Sequence, residues 1–423
     1  MVGLRGIDDP VIRRNFVANV FDGSLFAFAI SFVSLQAVLP VLVLSMGGSN
    51  VAVGLLPVIW TFGSNFPQML MVSFARRIPF KKPLFMKTAL LQRLPWLMLA
   101  LFCFFALDSI DAGVRLVVFF VLFLGTATGN SINFPLWFDL VTKVTPVRIR
   151  GRMFAMRSII GALLGVLGGS AVTYVLGFAP YPDNYGILFL LAFLVMMMSY
   201  GFLWLVRETT ASAVKVAGNR ESFADAVHIL KNDVNFRNFL IADALVISSS
   251  MAGAFYAVHA VQQFALSDAF AGLFTVVMMG TTILGSVAFG FVADQIGHKF
   301  NLLLSAGAMT LGTAIALLAG SIEIYMLTFA LFAVTASVNM ISRLSIVAEF
   351  CDDTQKSAYI AITNTATAPF ILLGVAAGWV ADMAGYVPVF LFAGLCAFTA
   401  FIWLLLKVKE PRHLPAFSVP ERL

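Results

Sequence analysis

The chain has 423 residues, of which 60% are hydrophobic and only 11% are charged, and its mean hydropathy is +0.95. A water-soluble fold of this composition would expose too much apolar surface, so soluble classes of protein are excluded. The formal net charge is +6 at pH 7, without a basic patch typical of nucleic-acid binding. Because one bilayer crossing needs about 20 apolar residues, this composition indicates an integral membrane protein with about a dozen crossings.

Apolar runs of helical length predict twelve membrane spans along the chain. The run after the charged segment 1–14 is about twice as long as a signal-peptide core and lacks a small-residue cleavage site, so we expect it to stay in the membrane. The predicted spans are 15–46, 50–74, 84–107, 114–139, 153–179, 185–206, 236–266, 269–293, 300–320, 323–349, 357–381 and 387–408.

The Lys and Arg residues predict how the chain is oriented in the membrane, because loops rich in these residues resist translocation. Nearly all of the 27 fall in loops on one side, a set in which we place Arg157. Arg115 lies in an opposite-side loop, whereas Arg93 and Arg343 lie inside spans. Both termini are therefore predicted to be cytoplasmic, and the net positive charge reflects topology.

The longest break in the apolar pattern, residues 207–235, separates the first six spans from the last six. We predict an N-terminal six-helix bundle over 1–206 and a C-terminal one over 236–423. A Ser222-x-x-Asp225 capping pattern precedes apolar residues at helical spacing, which predicts that the linker ends in an amphipathic helix along the cytoplasmic membrane face. The alternative is a solvated tether with some helicity.

The two six-span halves share sequence. The segment from Gly54 aligns without gaps on the segment from Gly272, at an offset of 272 − 54 = 218. Arg14-Asn15-Phe16 returns as Arg237-Asn238-Phe239, and the sequence TATGN at 126–130 returns as TASVN at 335–339. An even number of spans in each half gives both halves the same orientation. The chain is therefore predicted to be two parallel repeats about an axis along the membrane normal.

Within this repeat, residues 290–299 contain Gly290-x-x-x-Asp294-x-x-Gly297 and a basic residue. This segment resembles the loop signature between the second and third helices of each half in the major facilitator superfamily. The resemblance covers essentially the whole chain and implies an all-α membrane protein of twelve transmembrane helices in two parallel six-helix repeats. It also implies that this loop locks the cytoplasmic side. The alternative is a turn that merely joins two helices.

Physically, Gly290 would permit close helix approach and Gly297 a sharp turn. The first-half loop departs from the signature, because Arg76 stands at the aspartate position and Pro79 at the second glycine position. An acid-based lock is therefore not expected there. The predicted gating residues are Gly290, Asp294, Gly297, Arg76 and Arg77.

Glycines recur along the fifth span at Gly161, Gly165, Gly168 and Gly169. They partly resemble a motif of proton-linked drug antiporters in the same superfamily, but the proline of that motif is missing. We expect these glycines to allow close helix packing.

Polar residues form stripes in two related spans. Thr126, Asn130, Asn133 and Trp137 recur at i, i+4, i+7 and i+11 in the fourth span. In the tenth span the counterparts are Thr335, Asn339 and Ser342, with Arg343 beside them. In the superfamily, helices one, four, seven and ten line the central cavity, so the resemblance implies that these stripes face the substrate path. The alternative is hydrogen bonding that holds helices together.

Asp22 lies about two turns inside the first span, on a stripe with Asn19 that resumes at Gln36. An ionised carboxylate is costly at this depth unless it is paired or hydrated. A carboxylate that pairs and unpairs during transport can carry a proton or bind a cation. The competing interpretation is a permanent ion pair with Arg93 or Arg343.

The seventh span carries Asp243 on one face and Tyr256, His259 and Gln263 on nearly the opposite face. Gly253 would allow a bend between the two sets. Asp243 is either a second coupling residue or a packing contact in its own bundle. Asp22 and Asp243 are the predicted coupling residues. The predicted substrate-binding residues are Asn19, Gln36, Asn130, Asn133, Trp137, Tyr256, His259, Gln263, Asn339, Arg343 and Asn364.

No phosphate-binding loop, metal-binding helix motif or nucleophile with its base is present in the sequence, so we do not expect an enzyme. Cys103, Cys351 and Cys396 lack metal-ligand spacing, and we expect neither a cofactor nor a metal site.

The favoured hypothesis is a secondary active transporter of a small organic solute, working by alternating access and coupled to protons. Its expected partners are this small-molecule substrate, protons and the lipid bilayer, without nucleic acid, and the expected state is a monomer. The expected location is a bacterial inner membrane. The alternatives are a divalent-cation transporter that uses Asp22 and His259, and a non-transporting sensor or assembly factor on the same scaffold.

Overall fold

The computed structural model describes residues 8–75, 78–209, 211, 229–352 and 355–413. All regular secondary structure in those residues is helical. The first seven helices are α1 (Pro10–Ser31), α2 (Val38–Ser45), α3 (Asn50–Ala75), α4 (Lys82–Phe105), α5 (Ala112–Val144), α6 (Val147–Phe178) and α7 (Asp183–Leu205). The next are α8 (Val234–Ser250), α9 (Tyr256–Gln263), α10 (Phe270–Gln295), α11 (His298–Leu318), α12 (Ile322–Val338), α13 (Leu344–Glu349), α14 (Lys356–Thr367), α15 (Leu373–Ala384) and α16 (Tyr386–Lys407).

Ten helical stretches in the described part of the chain are long and apolar enough to cross a membrane. They correspond to the third to twelfth predicted spans. The second predicted span is the helix α3. The first predicted span is not continuous, because α1 ends at Ser31 and α2 begins at Val38. The Ser34 carbonyl accepts hydrogen bonds from the N–H groups of both Val38 and Leu39, at the start of α2.

Contacts divide the chain into two compact units. Unit 1 comprises residues 1–218 and 257–283, and unit 2 comprises residues 219–256 and 284–423. The bundle boundaries expected from the sequence stay a prediction. The expected amphipathic linker helix lies mostly outside the described residues.

Glycines allow close helix packing in unit 1, as the fifth-span pattern predicted. Helix α1 packs along α6, where a Cβ added at Gly161 would lie 3.0 Å from the Ala27 Cβ. A Cβ added at Gly169 would lie 2.9 Å from the carbonyl oxygen of Gly272 in α10. Backbones approach this closely only where side chains are absent. The prediction of close packing is confirmed.

In unit 2, α11 packs against α12 and α16, and α16 also packs against α8. The seventh span is interrupted by a 3-10 turn, Met251–Ala254, between α8 and α9, at the glycine where the sequence would allow a bend. A Cβ at Gly253 would overlap the Phe332 ring, so only glycine fits this turn.

The beginnings of the two sequence halves are fixed in the same way. The Asn15 side chain donates to the Arg207 carbonyl (2.9 Å) and accepts from the Arg207 N–H (2.7 Å). Asn235 makes the same pair of bonds with Lys409, at 3.0 and 2.8 Å. The structural counterpart of Asn15 is therefore Asn235, and the predicted match with Asn238 is wrong. The repeated triplet of the sequence misled the alignment by three residues, because 238 − 235 = 3.

Candidate functional site

A cavity of about 270 Å³ opens among the helices of unit 1. Its wall combines three kinds of side chain: charged, amide and apolar. The charged members come from three different helices and the amides from two, and four aromatic residues and one leucine complete the wall. The lining residues are Asp22, Arg93 and Arg157; Gln92, Asn130 and Asn133; and Phe26, Phe85, Phe134, Trp137 and Leu203.

The three charged residues lie at similar depth. Asp22 is 22 − 10 = 12 residues from the start of α1, Arg93 is 93 − 82 = 11 from the start of α4, and Arg157 is 157 − 147 = 10 from the start of α6. A helix rises about 1.5 Å per residue, so these groups lie about 15–18 Å along their helices. Each charged residue therefore lies about three turns from the start of its helix, inside the bundle.

Asp22 is held by two partners. Its Oδ1 accepts a 2.7 Å hydrogen bond from the Ser199 hydroxyl, and its Oδ2 lies 3.4 Å from Arg157 Nη1. The Ser199 oxygen also accepts from Arg93 Nη2 at 3.3 Å. The sequence placed Arg157 in the cytoplasmic set and offered Arg93 or Arg343 as ion-pair partners. Arg157 is the direct partner, because α6 begins at Val147 and carries residue 157 well inside the bundle.

Arg93 is fixed by backbone carbonyls. Its Nε donates to the Met196 carbonyl at 2.9 Å and its Nη1 to the Ala89 carbonyl at 2.7 Å. The residue is only 2% exposed. These neutral acceptors orient the guanidinium without neutralising it.

The Arg157 side chain lies between a glycine and an indole ring. A Cβ added at Gly23 would overlap its guanidinium, so the space that Arg157 occupies exists only because residue 23 lacks a side chain. Its Cζ lies 4.5 Å from the centre of the Trp137 ring, a cation–π arrangement. Trp137, predicted from the polar stripe, thus helps to position the arginine.

The amide side chains form one chain of hydrogen bonds between α4 and α5. Thr88 Oγ1 donates to Asn133 Oδ1, Asn133 Nδ2 to Gln92 Oε1, and Gln92 Nε2 to Asn130 Oδ1, each at 2.9 Å. Asn130 and Asn133 were predicted to face the substrate path, with helix bonding as the alternative. They join the two helices and also line the cavity.

Unit 2 holds a second acid–arginine pair. Arg343 Nε lies 2.9 and 3.0 Å from the two Asp243 oxygens, and its Nη2 lies 2.8 Å from Oδ2. The same guanidinium donates to Thr367 Oγ1 (3.1 Å) and to Asn364 Oδ1 (3.4 Å). Asp243 therefore packs within its own unit, the alternative that the sequence left open. Arg343 ends a π-helical segment, Asn339–Arg343.

The π-helical segment breaks the polar stripe predicted for the tenth span. Thr335 donates to the Ser305 carbonyl, and the Ser342 hydroxyl bonds His298 Nδ1 (3.1 Å) and Asn301 Nδ2 (2.9 Å) on α11. Thr335 and Ser342 thus hold two helices together. The extra residue of the π turn lets Ser342 and Arg343 point to different neighbours.

The remaining predicted substrate-binding residues lie outside the cavity wall of unit 1. Asn19 is buried and donates to the Asn15 carbonyl of its own helix. Gln36 lies in the turn between α1 and α2, so the stripe predicted through it does not continue. Tyr256 is buried among Phe329, Phe332 and Phe390. His259 and Asn339 are half-buried, and Gln263 and Asn364 are exposed.

The predicted gating loop is only partly as expected. Gly297 has φ +112° and directs a sharp turn into α11, which confirms the turn predicted at this residue. Gly290 is not at a close helix contact, since a Cβ added there meets nothing within 4 Å. Asp294 is exposed. Arg76 and Arg77 lie outside the described residues.

Two glutamates that the sequence analysis missed hold these loops. The Glu208 carboxylate accepts the N–H groups of Lys81 (2.9 Å) and Lys82 (2.8 Å), and Glu410 accepts the N–H of Lys299 (2.9 Å). The signal was available, because Val206-Arg-Glu208 recurs as Val408-Lys-Glu410.

The Lys81 side chain also binds the backbone of the loop between α3 and α4. Its Nζ donates to the carbonyl of Ala75, the last residue of α3, and to that of Ile78 in the loop. Burial lowers the pKa of Lys81, while the negative charge of Asp139 opposes that shift. Among the residues that the structure describes, no three His, Cys, Asp or Glu side chains lie together as metal ligands would.

The family model of the Major Facilitator Superfamily matches residues 239–422. None of the curated proteins matches the chain. Among solved structures, the nucleoside transporter NupG is similar with a TM-score of 0.68 at 14% identity, covering 95% of this chain and 100% of its own. A D-xylose-proton symporter is similar with a TM-score of 0.64 at 15% identity, covering 95% of this chain and 99% of its own.

A bacterial homologue of the iron transporter ferroportin, in an inward-facing state, has a TM-score of 0.68 at 15% identity and covers 92% of this chain and 98% of its own. At these identities the likeness of the solved structures establishes the fold. The family model thus covers the second half of the chain, and the fold that the chain shares with these solved transporters extends over nearly its whole length.

Proposed function

We propose that the protein is a secondary active transporter that moves a small organic solute across the membrane by alternating access, coupled to protons. The observation that carries this proposal is the cavity of unit 1, about 270 Å³ in volume and lined, in the interior of the helices, by Asp22, Arg157 and hydrogen-bonding amides. Charged groups inside membrane-spanning helices are costly and mark solute or ion pathways. The similar nucleoside transporter and D-xylose-proton symporter support a small organic solute and protons as candidates.

The geometry around Asp22 supports proton coupling. Its only direct ion-pair contact among the described residues is the 3.4 Å approach of Arg157, which is long for a charge-assisted bond. Protonation of Asp22 would release Arg157 toward the cavity, and loss of the proton would draw it back. A bound solute and a proton can therefore influence each other through one guanidinium.

The charge of the cavity argues against the divalent-cation alternative. Its wall carries the guanidinium groups of Arg93 and Arg157 against the single carboxylate of Asp22. A divalent cation would enter a site with excess positive charge, whereas cation sites are built from oxygen ligands and negative charge.

The first test is solute accumulation in proteoliposomes. A solute that raises the melting temperature of the purified protein would be offered to vesicles with an imposed pH gradient, because a ligand of the folded state stabilises it. We expect the wild-type protein to accumulate the solute and Asn133→Ala to do so weakly. A protein that binds the solute but never moves it across the bilayer would support the sensor or assembly alternative.

A further inference from the structure

We infer that the cavity of unit 1 takes a small organic monoanion, a carboxylate with an apolar body. The inference rests on the transporter function proposed above and names the class of its substrate. It starts from an imbalance in the cavity wall, where two guanidinium groups, Arg93 and Arg157, face one carboxylate, Asp22.

The excess charge comes from three of the helices that line the cavity. Helix α1 contributes Asp22, α4 contributes Arg93 and α6 contributes Arg157, while the lining residues of α5 and α7 are neutral. Ser199 bridges Asp22 and Arg93 but carries no charge. With all three groups ionised, the wall has a net charge of −1 + 1 + 1 = +1. An uncompensated buried charge is unfavourable, so a monoanion that entered the cavity would be strongly favoured.

The two arginines have different parts in this site. Arg93 is buried and bonded to two backbone carbonyls and Ser199, so its guanidinium supplies charge but has little freedom to meet a ligand. Arg157 is 18% exposed at its side chain and makes one long contact with Asp22. A planar guanidinium with spare donors matches the two oxygens of a carboxylate. Arg157 is therefore the anchor.

The rest of the wall describes the rest of the ligand. Phe26, Phe85 and Phe134 provide an apolar surface, which favours a ligand with an apolar or aromatic body. The end of the amide chain at Asn130 offers one polar contact to that body. An inorganic anion could accept hydrogen bonds from Arg157, but it would leave the aromatic side chains in contact with water.

The orientation of the Arg157 side chain depends on Gly23 and Trp137. Gly23 leaves the space in which the Arg157 guanidinium lies, and Trp137 stacks on that guanidinium. Together they hold the planar fork in one orientation. Gly23 is thus a positioning residue for the anchor.

The test uses the full-length protein in detergent and probes matched in shape but not in charge. Melting temperature is measured with benzoate and benzamide, 4-hydroxybenzoate and 4-hydroxybenzamide, and with chloride, sulfate and inorganic phosphate. We expect the carboxylates to raise the melting temperature and the amides to have little effect. Arg157→Gln should lose the carboxylate effect, by at least about tenfold in apparent affinity, and Arg157→Lys should lose less, because it keeps the charge but not the fork.

A second variant should not weaken carboxylate binding. Asp22→Asn removes the only carboxylate of the wall, so carboxylate affinity should stay or increase severalfold, whereas a cation site would lose its ligand. The monoanion inference would be overturned if the amide probes raised the melting temperature and this effect were lost in Asn133→Ala but kept in Arg157→Gln. The proposed transport function would then still stand. Effects from the inorganic anions alone, or from none of the probes, would also overturn it.

Discussion

Asp22 and Asp243 each meet an arginine inside their own unit, yet the two pairs are built differently. Asp243 receives three contacts of 2.8–3.0 Å from Arg343, which also reaches Thr367 and Asn364. Asp22 and Arg157 approach at one point, 3.4 Å apart, beside a cavity. The Arg343 guanidinium uses several of its donors on these partners, whereas the Arg157 guanidinium has donors to spare.

The repeat explains how the difference arose. The π turn Asn339–Arg343 adds one residue to the tenth span, so the offset of 209 before the turn becomes 210 after it and places Arg343 opposite residue 343 − 210 = 133, which is Asn133. Unit 1 therefore lacks an arginine at that position and places one on α6 instead. Its Asn133 lines the cavity. The Asp243–Arg343 pair is thus held by more and shorter contacts than the Asp22–Arg157 pair.

Removal of the two acids should break this comparison most strongly. Asp243→Ala leaves the Arg343 guanidinium without its bidentate partner, and loss of one member of a buried pair costs about 3–5 kcal/mol. Asp22→Ala removes one long contact and a hydroxyl bond, for which we expect a smaller loss than at Asp243. Reversible unfolding in mixed micelles measures both. Equal losses would contradict the distinction between the two pairs.

A smaller effect is expected from the glycine that makes room for Arg157. Gly23→Ala would force the guanidinium away from Asp22, and overpacking of this kind typically costs about 1–3 kcal/mol. Because Arg157 stacks on Trp137, displacement of the guanidinium should also change the fluorescence of this tryptophan. The Trp137 signal is the emission of a protein minus the emission of the same protein carrying Trp137→Phe, and it is compared with and without Gly23→Ala. Gly113→Ala is the matched control, since an added Cβ there meets nothing within 4 Å. An effect of the same size in both variants would argue against a specific role.

The smallest effect separates two glycines of the loop signature. Gly297 has φ +112°, and an added Cβ would overlap Glu410, so Gly297→Ala should cost about 1–2 kcal/mol. Gly290→Ala should be neutral or stabilising by about 0.5–1 kcal/mol, because the site is helical and open. Melting temperatures of the two variants decide the point. A loss at Gly290 as large as at Gly297 would restore a packing role for the first glycine.

Much of the architecture follows from the sequence, because membrane spans depend on local hydrophobicity and length. Ten spans appear where the apolar runs predicted them. The sequence placed Asn130, Asn133 and Trp137 on one face of a helix, and all three line the cavity. This worked because α5 is one continuous helix, over which a 3.6-residue period holds.

The failures occur where that regular period stops or where residues distant in sequence meet. The stripe through Gln36 crosses the turn between α1 and α2, and the stripe of the tenth span crosses a π turn. Arg157 was placed in a loop because a run of arginines obscured the start of α6. Ser199, which bridges Asp22 and Arg93, is one hydroxyl in an apolar helix and gives no periodic signal.

The most direct test of the central claim compares accumulation with exchange in proteoliposomes that contain the Asp22→Asn variant. With the solute identified by thermal stabilisation, the account predicts that this variant still exchanges solute down its gradient but no longer accumulates it when a pH gradient is imposed. Asp111→Asn, a change at an exposed aspartate without a side-chain cap bond, should keep both activities. Full pH-driven accumulation by the Asp22→Asn variant would contradict a coupling role for Asp22.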